Sequence, residues 1–525
     1  MKIVVADDLP ASAIDLLRAE GWDVDARVGR AADQLAADVA DADALVVRSA
    51  TKVTAALIAA APSLRVIARA GTGVDNVDVQ AASARGLVVM NAPGANSVSV
   101  AELAVGLMLA LARHLPAADA AMKDGRWEKK KFLGEELRDK TLGLAGLGRI
   151  GQEVARRAAA FGMRVIAHDP FIPADIAADL GATLVPLDQL FAEADYLSLH
   201  LPSTPQTRHL VNEARLAQAK RGIRIINTAR GDLVDEAALL GAIESGRVGG
   251  AALDVFQAEP TTDHRLQKLP QVVATPHIAA STREGQELVG VETTTALRDF
   301  LKDGIIRNAV NFPSVSSEEF KRLQPFLALA ERLGTFISQM NDDRIQSVGV
   351  RYYGDLVNGR TDMLLNAVLV GLFKPILSSG VTLVNARNVA AARGLEVVES
   401  RSTRHRNYTN LISVKLETSG RSRWVEGVVF EHTSPRLALV DGIAVEAPLE
   451  GTMIVMCNTD QPGVIGDIGT ILGRHRVNIA NFALGREGDR AVGVVIVDED
   501  APISDTVLRE LRTVTAVREA RLVRV

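Results

Sequence analysis

The 525-residue chain contains a single cysteine, Cys457. One thiol cannot form an internal disulfide, and a chain this long without cysteine pairs fits a reducing cytosol. No long basic tract is present. Lys and Arg number 59 against 64 Asp and Glu, a formal net charge of -5, which argues against nucleic acid as a partner. Low-complexity segments are lacking too. No apolar run is long enough to span a bilayer. The most apolar stretch, residues 101–115, ends in Arg113-His114 and reads as a buried interface helix. The opening residues, Met1 to Asp8, form a short apolar run followed at once by charge, which does not read as a signal peptide. What the chain has in quantity is apolar side chains, 47% of the total, enough for large cores. Its length predicts three or four domains.

Residues 1 to 95 repeat one pattern. Short apolar runs (Ile3–Val5, Ala44–Val47, Arg65–Ala68, Leu87–Met90) alternate with Ala-rich amphipathic stretches. Buried strands separated by helices predict a parallel sheet. A helix is expected to start near Ser99, with Glu102 three residues on as a capping box. A second series predicts strands at Leu142–Ala145, Arg164–His168, Tyr196–His200, Arg224–Asn227, Gly250–Val255 and Val272–Thr275. A helical pattern, Arg283 to Leu301, is read as returning to the first domain, and Pro313-Ser314 as the start of a linker. The next stretch opens with a helix, Phe320 to Asn341. It includes a basic group: Arg401, Arg404, His405, Arg406, Arg421 and Arg423. The tail, residues 450 to 525, reads strand, helix, strand, strand, helix, strand. The strands are Met453–Met456, Asn478–Leu484, Ala491–Val497 and Arg518–Val523, the ferredoxin-like order.

The segment Gly146-Leu147-Gly148-Arg149-Ile150-Gly151 follows a predicted strand and opens a helix, and the next strand ends in Asp169. That context turns a weak GxGxxG signal into a strong dinucleotide-binding one. Gly146 permits the tight turn, Gly148 lets the backbone approach a pyrophosphate at the helix N-terminus, and Gly151 allows close helix–sheet approach. Asp169 can accept hydrogen bonds from ribose hydroxyls and would repel a 2′-phosphate. Pro170 and Phe171 follow it with no Arg, so NAD is expected rather than NADP. No metal is expected.

Three polar groups follow strands of the same series: Arg230, Glu259 and His277. They converge on the crevice where such sheets bind ligands. Interconverting an alcohol and a ketone with NAD moves a hydride and a proton. His277 can take and return the proton. Glu259 at its second nitrogen would fix the tautomer and raise the pKa. Arg230 can hold a carboxylate in bidentate fashion and polarise the adjacent carbonyl.

Several stretches together make the chain resemble the D-2-hydroxyacid dehydrogenase family: residues 47–54, 69–76, Asn96-Ser97, Gly146 to Gly151, Asn227 to Glu236, Ala251 to Pro260 and Pro276 to Thr282. The first two point to its phosphoglycerate branch, in the long form. The resemblance implies two doubly wound parallel-sheet α/β domains, Rossmann and flavodoxin-like, plus an α+β intervening domain and a ferredoxin-like ACT domain. The expected boundaries are 1–97 with 283–312 for a discontinuous substrate domain, 98–282 for the NAD domain, 314–448 for the intervening domain and 450–525 for the ACT domain.

The resemblance assigns catalysis to Arg230, Glu259 and His277. It implies NAD contacts from Thr72, Arg149, Ile150, Asp169, Leu201, Pro202, Thr207, Thr228, Ala229, Arg230, Asp254, His277, Ala279 and Ala280, beside the three glycines. The substrate side would be Arg48, Ser49, Arg69, Gly73 and Asn96 with Arg230 and His277, joined by Lys129 lent from a neighbouring subunit. The implied substrate pair is 3-phosphoglycerate and 3-phosphohydroxypyruvate, with Arg230 on the carboxylate and the other cations on the phosphate. Asn458, Asp460 and Asn478 fall on amino-acid-binding positions of the ACT domain, and L-serine is the implied effector. An anionic regulator at the basic group, a homotetramer and a cytoplasmic location complete the expectation. The alternatives are a dehydrogenase of an unphosphorylated D-2-hydroxy acid, or a non-catalytic NAD-sensing corepressor-like protein.

Overall fold

A computed structural model describes residues 1–377, 380–404, 407–498 and 503–525. Four sheets organise them. The first has strands β1 (Lys2–Val5), β2 (Asp23–Asp25), β3 (Ala44–Val47), β4 (Val66–Arg69) and β5 (Val88–Met90). All pair in parallel, in the order β2-β1-β3-β4-β5 of flavodoxin-like folds. The β3 strand is buried at every position, which is why it reads as an unbroken apolar run rather than an alternating one.

The second sheet has β6 (Thr141–Ala145), β7 (Arg164–His168), β8 (Ala182–Leu184), β9 (Tyr196–Leu199), β10 (Ile223–Asn227), β11 (Val248–Leu253) and β12 (Val272–Ala274). Its order is β12-β11-β10-β9-β6-β7-β8, again all parallel. Strand order reverses between β6 and β9. The carboxyl ends of these two strands therefore flank the crevice where a ligand binds in a doubly wound fold.

The apolar helix seen in the sequence runs Ser97–Ala112, and seven of its ten buried residues join the core of this second sheet. No single helix among the described residues is long and apolar enough to cross a membrane. The capping box at Ser99 is not formed. The helix starts two residues earlier, after Asn96. The Ser99 hydroxyl pairs instead with Thr282 Oγ1 at 2.7 Å, at the N-cap of helix Arg283–Asp303. Ser99 is buried, so a tertiary partner outbids the local cap. The Arg283–Asp303 helix does return to the first sheet. It packs on helix Ala11–Arg18, where Gly290 leaves room for Pro10.

The segment after it is not a free linker. Val310 N–H donates to the Val89 carbonyl at 2.8 Å, and the Asn311 side chain takes the Val89 N–H and donates to Leu87 and Ser83. Phe312 and Val315 are buried.

The third sheet is mixed. Its six strands run, edge to edge, Glu396–Ser402, Ile345–Gly354, Asn410–Thr418, Ser422–Phe430, Ser434–Val440 and Ile443–Pro448. Helices Ser317–Gln339 and Thr361–Phe373 pack together over it. The expected basic group is not one cluster here. Arg401 lies on the edge strand beside Glu399, whereas Arg423 lies three strands away, buried against Asp441 and Glu519. Arg421 also faces Glu519. His405 and Arg406 fall outside the described residues. The fourth sheet has Thr452–Thr459, Ile479–Glu487, Arg490–Val497 and Val517–Arg524 with helices Val464–Arg474 and Asp505–Leu511. Its all-antiparallel order is the ferredoxin-like one.

Candidate active site

The two parallel sheets face each other across a cleft of about 720 Å³. One wall comes from the end of β4 and the loops after β3 and β4: Arg48, Ser49, Lys52, Arg69, Gly71 and Asp75. The other comes from loops after β10, β11 and β12, with Arg230, Glu259 and His277.

His277 and Glu259 meet. The imidazole Nδ1 lies 2.6 Å from Glu259 Oε2, and Glu259 Oε1 accepts the Phe256 N–H at 3.0 Å. The hydrogen bond to Glu259 raises the His277 pKa, against the opposing effect of burial. Burial pushes the Glu259 carboxyl up, but the His277 and Phe256 hydrogen bonds outweigh it and hold the group below its ordinary value. The pair therefore tends toward imidazolium and carboxylate, and with Nδ1 engaged it leaves Nε2 for another partner. A second imidazole, His200, is half-buried beneath the glycine turn. Burial pushes it down to about 4, so His277 is the one poised to titrate.

Asp254 sets the His277 loop. It is fully buried at the end of β11. Its carboxylate accepts the Thr275 hydroxyl at 2.6 Å, the Ile278 N–H at 2.9 Å and the Ala279 N–H at 2.8 Å. The His277 N–H donates to the Asp254 carbonyl at 2.8 Å. His277 itself has φ +55, a left-handed conformation uncommon for non-glycine residues. The sequence motif pointed to Asp254 as a cofactor contact, and the structure gives its carboxylate to this turn.

The cationic wall is built from a different network. Asp7 Oδ2 accepts the Arg48 N–H at 2.6 Å, and Asn76 donates to the Arg48 and Thr51 carbonyls. Arg69 folds over Gly71, where a β-carbon would collide with its guanidinium. Burial, reinforced by the nearby Arg230 charge, lowers the Arg69 pKa, and its Nε is buried without a partner. Such a group fits an incoming anion. Arg230 reaches across to the same loop and crowds Gly73. Asn96 is buried nearby and accepts the Thr72 hydroxyl at 2.8 Å. Lys129 is exposed in the Lys129–Lys131 turn and does not line the cleft of its own chain. Lys52, Asp75, Asn76 and Gln286 do reach the cleft but were not singled out from sequence. Three of them lie within the 47–54 and 69–76 stretches already noted, so the signal was present.

The residues that could hold a dinucleotide also assemble. A β-carbon on Gly146 (φ +95) would strike the His200 carbonyl, and one on Gly151 would strike the Gly146 carbonyl. At Gly148 nothing lies within 4 Å, so the N-terminus of helix Arg149–Ala160 is open. Arg149 projects from it toward Gly94, and Ile150 packs beneath. Asp169 ends β7 and takes the Leu147 and Phe171 N–H groups at 2.8 and 2.9 Å. Thr228 is buried with its hydroxyl unpartnered, and Ala229 follows with its N–H on Asn227. Leu201 and Pro202 open the next loop. Thr207 closes it by donating to the Pro202 carbonyl at 2.6 Å, so its own hydroxyl is spent on the loop. Ala280 lines the cleft and Ala279 is buried behind it. This set fits NAD: the turn excludes side chains where a pyrophosphate would approach, and an acid stands where a ribose would lie.

In the last unit a cavity of about 120 Å³ is lined by Asn458, Asp460, the Gly463 turn and Arg486, with Asp460 Oδ1 3.6 Å from Arg486 Nε. Asn478 is not among them. It sits at the far end of the sheet and donates to Asp498.

Comparison with known proteins gives three consecutive matches. Residues 105–279 match the D-isomer specific 2-hydroxyacid dehydrogenase NAD binding domain, residues 322–441 the D-3-phosphoglycerate dehydrogenase intervening domain, and residues 452–515 the ACT domain. A D-3-phosphoglycerate dehydrogenase from Archaeoglobus fulgidus is 42% identical over 526 residues, covering 100% of both chains. Among solved structures, a glyoxylate reductase from Paecilomyes thermophila is 33% identical with a TM-score of 0.54, over 59% of this chain and 98% of that one. A D-lactate dehydrogenase from Aquifex aeolicus, complexed with NAD and lactic acid, is 29% identical with a TM-score of 0.53, over 60% of this chain and 100% of that one.

Proposed function

We propose, from the premise that the chain belongs to the D-3-phosphoglycerate dehydrogenase family, that its cleft oxidises 3-phospho-D-glycerate to 3-phosphohydroxypyruvate, the first step of the phosphorylated route to L-serine. The observation that carries the chemistry is the His277–Glu259 pair facing a wall of arginines.

Bound NAD supplies the hydride acceptor. The glycine turn, Arg149, Asp169 and the Thr228–Ala229 loop hold it. His277 Nε2 takes the hydroxyl proton as the carbinol becomes a carbonyl, and the resulting imidazolium is stabilised by Glu259. Arg230 holds the carboxylate beside the reacting carbon. Arg48, Ser49 and Arg69 take the phosphate, with Gly73 and Asn96 shaping the loop between. Lys129 of a neighbouring subunit joins the phosphate side. In the reverse direction the same proton returns from His277.

The proposed division is a discontinuous substrate domain (1–97 and 283–312), an NAD domain (98–282), an intervening domain (314–448) and an ACT domain (450–525). The Asp460 cavity supports serine as effector: Asp460 would hold the ammonium, and the backbone at the Gly463 turn the carboxylate. Asn478 would contribute from a paired ACT domain. A cytoplasmic homotetramer is the assembly proposed.

The test is NADH oxidation with 3-phosphohydroxypyruvate, with and without millimolar L-serine, against a His277→Ala control. Turnover well above the control establishes the enzyme, and suppression by serine establishes the effector. No turnover with this acid, alongside activity on an unphosphorylated one, refutes the substrate.

A further inference from the structure

Arg230 is not idle in the cleft. Its Nε donates to Asp75 Oδ2 at 3.0 Å, one Nη donates to the Ala229 carbonyl at 2.7 Å, and the other lies against Gly73. Arg230 follows β10 and Asp75 follows β4, so this ion pair crosses the cleft from one sheet to the other. Asp75 is 71% exposed at its side chain, whereas Arg230 is 30% exposed. Among the described residues, Arg230 is the only hydrogen-bond partner recorded for the Asp75 carboxylate. The neighbouring Asn76, by contrast, holds the loop backbone through two hydrogen bonds. Asp75 is therefore not needed to build its own loop. The other acids that line the cleft follow strands of the opposite sheet: Glu259 is committed to His277, and Asp232 lies two residues after Arg230 in the Gly231–Leu233 turn.

We propose that Asp75 is a built-in competitor for the substrate carboxylate. This rests on the reading of Arg230 as the carboxylate clamp. A guanidinium offers one bidentate edge that includes Nε, and Asp75 occupies that nitrogen. A substrate carboxylate exchanges for the aspartate rather than entering a vacant fork. The exchange keeps Arg230 extended over Gly73 before substrate arrives, at the expense of part of the affinity. Asp75 is a specificity- and affinity-setting residue, not a catalytic one.

The test is calorimetric titration of the full-length protein with 3-phosphoglycerate, run as a cycle of Asp75→Asn, Arg230→Ala and the double variant. Asp75→Ser repeats the first corner without an amide that could still accept from Arg230. An exposed ion pair of this kind is worth up to about 1 kcal/mol, so removing the aspartate should tighten binding roughly two- to fivefold. The tightening should vanish in the Arg230→Ala background. Unchanged or weaker binding in Asp75→Asn and Asp75→Ser overturns the proposal. So does tightening that persists without Arg230, which would mean simple removal of negative charge from the cleft. Should Arg230→Ala bind 3-phosphoglycerate as tightly as the native protein, the clamp reading itself fails.

Discussion

Asp254 is the residue on which the acid–base geometry depends most, and Asp254→Asn tests it. The native carboxylate is fully buried and accepts three hydrogen bonds from the 275–279 turn. Asn keeps the volume but loses the charge, and its amino group must face at least one of those donors. Hydrogen bonds to a charged group are worth roughly 1.5–3 kcal/mol each, and a buried donor left unsatisfied costs about 1–3 kcal/mol. One lost bond with one opposed donor gives about 3 kcal/mol. For a domain of this size, each kcal/mol lowers the melting temperature by about 2–4 °C, so the dehydrogenase transition should fall by roughly 6–12 °C. The same change releases His277 from its left-handed backbone position (φ +55). A displacement on the order of 1 Å at the acid–base group costs about 100-fold in kcat. Melting within about 2 °C of native, together with kcat within about twofold, would refute the claim that Asp254 holds the turn.

The remaining predictions concern charge and space. Because Glu259 raises the His277 pKa, oxidation needs pH above that raised value and reduction needs pH below it. Glu259→Gln removes the cause, so both profiles should move to lower pH: oxidation should rise at a more acid pH, and reduction should fall off from the alkaline side, keeping only the acid end of its plateau. Profiles of kcat/KM in both directions check this, and an unmoved midpoint counts against the pair. Gly151→Ala should abolish NADH binding measured by fluorescence titration, since its β-carbon would strike the Gly146 carbonyl. Arg48→Ala with Arg69→Ala should remove the preference for a phosphorylated over an unphosphorylated hydroxy acid. Competition between the two substrates reads the ratio directly, and a ratio that stays put shifts the phosphate elsewhere in the cleft.

What the sequence disclosed depended on whether a signal was local. Strands β3 and β6 are buried at every position, so their apolar runs stand out without knowledge of their neighbours. The edge strands β2 (Asp23–Asp25) and β8 (Ala182–Leu184) escaped, because three residues are too few to show a period, and pairing with β1 and β7 defines them. The Ser99–Glu102 pattern satisfied a local rule. It failed because a capping hydroxyl needs solvent or a free N–H at the helix start, whereas Ser99 is buried against Thr282. The basic run at 401–423 shows the same limit. Adjacent positions in the chain diverge once antiparallel strands separate them, and Arg423 ends in an ion pair with Glu519, 96 residues away. In the cleft, the motifs identified which residues gather. They could not say which way each side chain turns. Asp254 turns to the 275–279 turn after β12 and Asp75 to Arg230, and both choices are fixed by groups that follow other strands. Motif spacing reports the backbone positions a reaction requires. The side-chain partners that tune it are set by two sheets meeting, and no single segment contains that information.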